Sequence, residues 1–246
     1  MLLTRVYDAL LTVAYPQPCL VCGGSVEERR FGVVCKECWN TTQVFTGVET
    51  ICWKCGVLSL GIDLPPEVRR QVRCRRCDEQ SFAAARAVGL YEGALRESVL
   101  RLKRQPHVSA HVIALLVAAA QREPLNPATR IIPVPLHERR LRERGFNQAA
   151  VIAETVAKRL KLPLDTTSLA RIRGSEKYRA GLDPKARRDT VSGAFAVRHP
   201  RLVENENILL VDDVFTTGAT VNACAEALLA SGARKVSVLT IARGKS

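Results

Sequence analysis

The chain has 246 residues, 47% of them hydrophobic, with a formal net charge of +13 and an isoelectric point near 9.7. That length holds one large domain, or one medium domain with a small appendage, and the apolar fraction is that of an ordinary globular protein. The basic balance suits polyanionic partners (nucleic acid, pyrophosphate, acidic membrane surfaces) without selecting one, and the apolar run 112–120 is far too short to cross a bilayer.

In chain order, Leu3, Val6, Leu10, Val13 and Ala14 recur at helical spacing, while Arg5 and Asp8 interrupt the apolar stretch and no small-residue cleavage site follows. A short amphipathic helix docked on the protein is expected there, rather than an export signal, and a cytoplasmic home with it. Eight of the nine cysteines fall between positions 19 and 77. This shift in composition divides the chain into 1–80 and 81–246. Cys19-x-x-Cys22 and Cys35-x-x-Cys38 form one set of knuckles, and Cys52-x-x-Cys55 and Cys74-x-x-Cys77 another. Two thiolates at such spacing grip one ion, and two grips close a tetrahedral site, so two structural Zn²⁺ ions are expected. Sequential pairing is favoured, with an interleaved scheme left open. A disulfide framework suits a reducing compartment poorly, and a redox pair would need a βαβ setting that is absent. The ninth, Cys224, reads as a packing residue.

From position 81 onward strand-like and helix-like stretches alternate, which predicts an α/β fold with a parallel sheet. Strands are expected at 82–91, 130–134, 194–197, 208–214 and 235–242, and helices at 94–104, 106–122, 147–161 and 220–230. The polar, arginine-rich segment 171–190 reads as a loop. His107 and His111 have the spacing of a helical metal pair but lack a third ligand, so they read as a helix-surface pair. Arg139, Arg140, Arg142 and Arg144 crowd the stretch after the second strand. Their forks match pyrophosphate oxygens, or they form a solvated helix face partly neutralised by Glu138 and Glu143.

The most informative stretch is 208–220, ILLVDDVFTTGAT. Four apolar residues make a buried strand, Asp212 and Asp213 end it, and Thr216, Thr217, Gly218, Ala219 and Thr220 turn into a helix. Backbone N–H groups at a helix start cradle phosphate, Gly218 permits close approach, and the two carboxylates can accept hydrogen bonds from ribose hydroxyls. This stretch resembles the phosphoribosyl pyrophosphate (PRPP) motif of the type I phosphoribosyltransferases.

A wider resemblance covers about 18–242. VPLHERRLRERGFNQ (134–148), Tyr91-Glu92-Gly93, Leu102-Lys103, Arg187-Arg188 and Gly193-Ala194-Phe195, with the PRPP-like motif, resemble the ComF family, in which a double zinc ribbon precedes a phosphoribosyltransferase-type domain. The resemblance implies that Pro135, Leu136 and His137 face pyrophosphate, with Lys103, Arg139 and Arg144 in the same PRPP site. It implies further that Asp212 and Asp213 hold ribose as the catalytic pair, that residues 216–220 hold the 5′-phosphate, and that Mg²⁺ accompanies PRPP. Where relatives often carry Gln and Asn in the arginine-rich loop, this chain has Arg179 and Thr190.

Three functions follow. One is an enzyme transferring a phosphoribosyl group to an acceptor the sequence does not identify, linked by the resemblance to DNA uptake in competence and to its machinery proteins. The second is a protein handling single-stranded DNA, using Arg69, Arg70, Arg73, Arg75, Arg76 and the knuckle residues Trp39 and Trp53, a case weakened by an aromatic content of only 5%. The third is a regulator that senses PRPP without turnover.

Overall fold

A computed structural model describes residues 16–59, 64–172 and 193–245. The expected N-terminal helix and most of the 171–190 loop, including Arg179, Arg187, Arg188 and Thr190, lie outside these residues. The cysteine-rich part carries two short helices, α1 (Lys36–Thr41) and α2 (Pro66–Arg69). Then come β1 (Ala84–Leu90), α3 (Gly93–Leu102), α4 (Ala110–Ala120), β2 (Arg130–Pro133), α5 (Glu138–Arg144) and α6 (Gln148–Leu160). The chain continues through β3 (Leu169–Arg171), β4 (Phe195–Val197), β5 (Asn207–Phe215), α7 (Ala219–Ala230) and β6 (Lys235–Arg243).

Four strands make a parallel sheet in the order β1-β6-β5-β2. The near-continuous apolar runs of β5 and β6 are what strands covered on both faces require: Ile208 to Val211 and Val238 to Ala242 are all at most 1% exposed. β3 and β4 form a separate antiparallel pair. The sequence placed Arg171 in a loop; it is the last residue of β3, a three-residue strand too short to show a period and paired only with a distant partner. Helix α4 begins at Ala110 rather than 106, because Ser109 takes the cap and accepts the Val112 N–H. His107 therefore precedes the helix, exposed, and His111 packs edge-on between Phe31 and Trp39 at 4.9 and 4.5 Å. The expected helix-surface pair is thus corrected.

The two parts of the chain share their cores. Val34, Trp39, Leu95, Leu116, Ile152 and Leu239 belong to one buried cluster. Cys52, Cys77, Phe82, Phe215 and Leu228 belong to another. No helix among the described residues is long and apolar enough to cross a membrane.

Candidate sugar-phosphate site and metal centres

The carboxyl end of β5 carries both acids. Asp213 is buried and Asp212 half-buried, and the Asp213 backbone N–H donates to Asp212 Oδ1 at 2.8 Å. Lys103, in the turn after α3, brings Nζ to 3.4 Å from Asp213 Oδ2. That oxygen is buried and, beyond this ion pair, has no hydrogen-bond partner in the protein. Burial, and next the charge of Asp213, raise the Asp212 carboxyl from 3.8 to about 8, against the pull of the Asp213 N–H and Lys103. The site thus holds an acceptor with an unfilled lone pair beside a carboxyl that resists ionising, an arrangement suited to a ligand rich in hydroxyl donors.

From β5 the chain turns through exposed Thr216 and Thr217 to Gly218, which is buried at φ +82° and precedes α7. Gly218 is needed twice. The left-handed backbone favours glycine, and a Cβ would stand 2.8 Å from Phe215 Cζ and 2.9 Å from Gln80 Nε2. No side chain of the Ncap residue closes α7, and the Ala219 N–H has only a long bond to Thr217 Oγ1, 3.4 Å. Helix-start N–H groups left this way, with the dipole behind them, attract phosphate.

β2 lies beside β5 with Pro133 opposite Val211, and the Val134 N–H donates to the Val211 carbonyl at 2.9 Å. Pro135, Leu136 and His137 therefore leave the sheet at the edge where Asp212 and Asp213 stand. His137 Nδ1 accepts the Arg139 N–H at 3.2 Å and caps α5. The helix arginines find partners close by: Arg139 with Glu143 at 2.9 Å, Arg142 with Glu138 at 3.8 Å, and Arg144 with Gln148. So the structure gathers Lys103, the acid pair, the 216–220 turn and the 135–137 loop at one edge, while Arg139 and Arg144 are engaged locally in this state.

The cysteines form two quartets, Cys19, Cys22, Cys35, Cys38 and Cys52, Cys55, Cys74, Cys77, each with its sulfur atoms within 4.8 Å of one another. The pairing is sequential. Four thiolates about 2.3 Å from a tetrahedral zinc stand roughly 3.8 Å apart. The observed separations are 3.8 Å for Cys22 to Cys35, 3.5 Å for Cys52 to Cys77 and for Cys55 to Cys74, and 3.4 Å for Cys74 to Cys77. Backbone N–H groups aim at the sulfurs, from Val21 and Cys35 to Cys19, from Gly24 to Cys22 and from Cys74 to Cys52. Such donors favour thiolate at one cysteine of each quartet, Cys19 falling to about 6 although burial opposes it and Cys52, helped first by the Cys55 thiol, to about 3, whereas Cys35, Cys38, Cys55 and Cys77 are raised beside them. An all-sulfur donor set at tetrahedral spacing fits a structural metal ion.

Three residues at the site carry no motif and were missed by sequence reasoning: Gln80, Asn222 and Arg243. Gln80 Nε2 donates to the Thr217 carbonyl at 3.1 Å, Asn222 Oδ1 accepts the Ser81 N–H at 2.5 Å, and Arg243 lies over the Phe215 ring. Only Arg243 leaves a trace in sequence, as a charge closing an otherwise apolar strand.

A parallel sheet with acids and a glycine turn at its carboxyl edge, joined to paired cysteine quartets, defines an α/β protein of the phosphoribosyltransferase type with a cysteine-rich N-terminal part. Residues 147–246 match the phosphoribosyl transferase domain family. The DNA utilization protein YhgH of Salmonella typhimurium is 30% identical over 242 residues, covering 95% of this chain and 99% of that protein. Competence protein F of Haemophilus influenzae is 28% identical over 238 residues, 92% of this chain and 96% of that one. Competence protein ComFC of Bacillus subtilis is 34% identical over 114 residues, 46% of this chain and 44% of that one. The chain belongs to the ComF family.

Proposed function

We propose that the protein binds PRPP with Mg²⁺ at the carboxyl edge of the sheet and transfers its phosphoribosyl group to an acceptor, in the service of DNA uptake and use. The observation that carries this reading is the run from Asp212-Asp213 through the positive-φ Gly218 to the uncapped start of α7. Residues 216–220 hold the 5′-phosphate with main-chain N–H groups and Thr hydroxyls. Asp212 and Asp213 accept from the ribose hydroxyls, and Lys103 steadies Asp213. The 135–137 loop faces the pyrophosphate. The acceptor's lone pair forms the new bond to the anomeric carbon, and the bond to pyrophosphate breaks with its electron pair on the leaving oxygen. Bound Mg²⁺ supplies charge neutralisation on that leaving group. The acids act by positioning the sugar. The two cysteine quartets hold structural Zn²⁺, and residues 1–80 and 81–246 are the two units so joined.

Calorimetric titration of the zinc-loaded protein with PRPP and Mg²⁺ tests this. Saturable binding is expected, and Asp212→Ala/Asp213→Ala should lose it. A double variant that binds like the parent would sink the site assignment.

One observation favours a second use of the molecule, in handling single-stranded DNA. A cavity of about 290 Å³ is lined by Arg69, Arg70, Arg86, Arg122 and Trp53, with Arg86 stacked 4.9 Å from the Trp53 ring centre, although Glu49 and Glu123 also line it and Glu123 pairs with Arg70 at 3.0 Å. Cations beside an aromatic suit phosphate and base. Trp39 contributes nothing to such a surface, being buried with its indole N–H on the Phe31 carbonyl. Affinity for a single strand should fall steeply between about 50 and 200 mM salt, as released counterions require; a flat salt response would count against this use.

A further inference from the structure

The loop read as the phosphate cradle does not stand on β5 and α7 alone. Three consecutive residues that leave the second cysteine quartet reach the loop or the residues flanking it. The Gln80 N–H donates to the Cys77 carbonyl at 3.1 Å, which fixes Gln80 to the quartet, and its side-chain Nε2 donates to the Thr217 carbonyl at 3.1 Å. Ser81 N–H donates to Asn222 Oδ1, in the first turn of α7. Phe82, fully buried, meets the Phe215 ring edge-on at 5.9 Å. The contacts thus bracket residues 216–220 from both sides.

The other knuckle reaches Phe215, the residue from which the loop leaves β5. Arg243 is buried, donates to the Cys55 carbonyl at 2.6 Å and covers the Phe215 ring, while the Gly244 N–H donates to the Phe215 carbonyl at 2.8 Å. The space that Gly218 leaves by lacking a Cβ is taken by Phe215 and the Gln80 amide. We propose that Gln80 is a positioning residue for this loop, through which the second cysteine quartet sets the grip of residues 216–220 on a 5′-phosphate. This rests on reading that loop as the phosphate cradle. Physically, a turn whose N–H groups must point together at an anion gains from being held in that shape before binding, because ordering it later would subtract from affinity.

The test uses the zinc-loaded full chain with Gln80→Ala, Gln80→Met and, at the neighbouring Ser81 contact, Asn222→Ala. Zinc content, amide exchange across 214–222, and binding of ribose 5-phosphate and of pyrophosphate are measured. In both Gln80 variants zinc should stay bound and loop amides should exchange several-fold faster. Ribose 5-phosphate should bind about five- to tenfold more weakly, the scale of one lost hydrogen bond, with pyrophosphate affinity unchanged. Asn222→Ala should repeat the faster exchange. A merely structural role would weaken both ligands alike. Unaltered loop exchange with zinc retained would overturn the proposal. If the parent binds neither ligand but exchange still rises in the variants, the sugar-phosphate reading fails and the tether stands.

Discussion

Asp212 shows most directly what a ligand site costs the fold that carries it. Its carboxyl is raised to about 8 by burial first and by Asp213 second, so the folded chain holds a proton there that the unfolded chain, near 3.8, gives up. Stability from this group is therefore fully present below about pH 4, falls as pH rises through the window, and is gone above about 8. Asn at 212 keeps the shape and the lone pair facing the Asp213 N–H but cannot ionise. Asp212→Asn should accordingly stabilise the free protein progressively more as pH increases from 5 to 9. Each tenfold change in proton affinity is worth about 1.4 kcal/mol, and with Lys103 and water relieving part of the strain a gain of about 2–3 kcal/mol at pH 9 is expected. Urea midpoints at pH 5 and pH 9 read this directly; equal offsets at the two values would show that burial does not strain the acid. A stabilised variant with lost PRPP binding would mark Asp212 as kept for function at the expense of the fold.

At the scale of elements, what was legible is what is local. β5, α7 and β6 are foreseen to within a residue because each is built on a single apolar run, although the acid pair expected to end β5 lies inside it and the strand continues to Phe215. The two quartets were legible because a Cys-x-x-Cys spacing is short and repeated, although only folding chooses the sequential pairing. β3 was missed because three residues carry no period and its partner is β4, beyond a long polar segment. His111 was misread because its burial comes from Phe31 and Trp39, on the far side of a knuckle. Burial and the nearby Arg30 lower its pKa, as fits a ring packed in the interior. The candidate site divides the same way. Asp212, Asp213 and the 216–220 turn stand in one motif, whereas Gln80 meets Thr217 across 137 positions of chain, and no spacing rule reaches that far.

For the molecule as a whole, the decisive feature is that neither quartet hangs free of the sheet. Cys19, Val34, Cys35 and Trp39 share a buried cluster with Leu95, Leu116 and Leu239, and Cys52, Cys55 and Cys77 share another with Phe82, Ala85 and Phe215. Main-chain bonds cross as well, from Ala85 N–H to the Lys54 carbonyl at 2.7 Å and from Phe45 N–H to the Val88 carbonyl at 2.7 Å. A compositional boundary near Gln80 thus runs through a continuous interior. Metal binding to thiolates is folding free energy for whatever the thiolates hold in place, and in this chain they hold the wall against which β1 packs. The zinc-loaded protein should therefore unfold in one thermal transition. Stripping the metal with a chelator should lower that single midpoint by roughly 10 °C or more, since each kcal/mol moves a chain of this size by about 2–4 °C. Far-ultraviolet circular dichroism follows the sheet and helices, and near-ultraviolet signal follows Trp39 and Trp53 beside the knuckles. Far- and near-ultraviolet curves that coincide with each other, in the loaded and in the stripped protein alike, would establish one cooperative unit. Two separated transitions, with the sheet's midpoint unmoved by the chelator, would instead make the cysteine part an independent appendage and remove the physical basis for a metal-dependent phosphate loop.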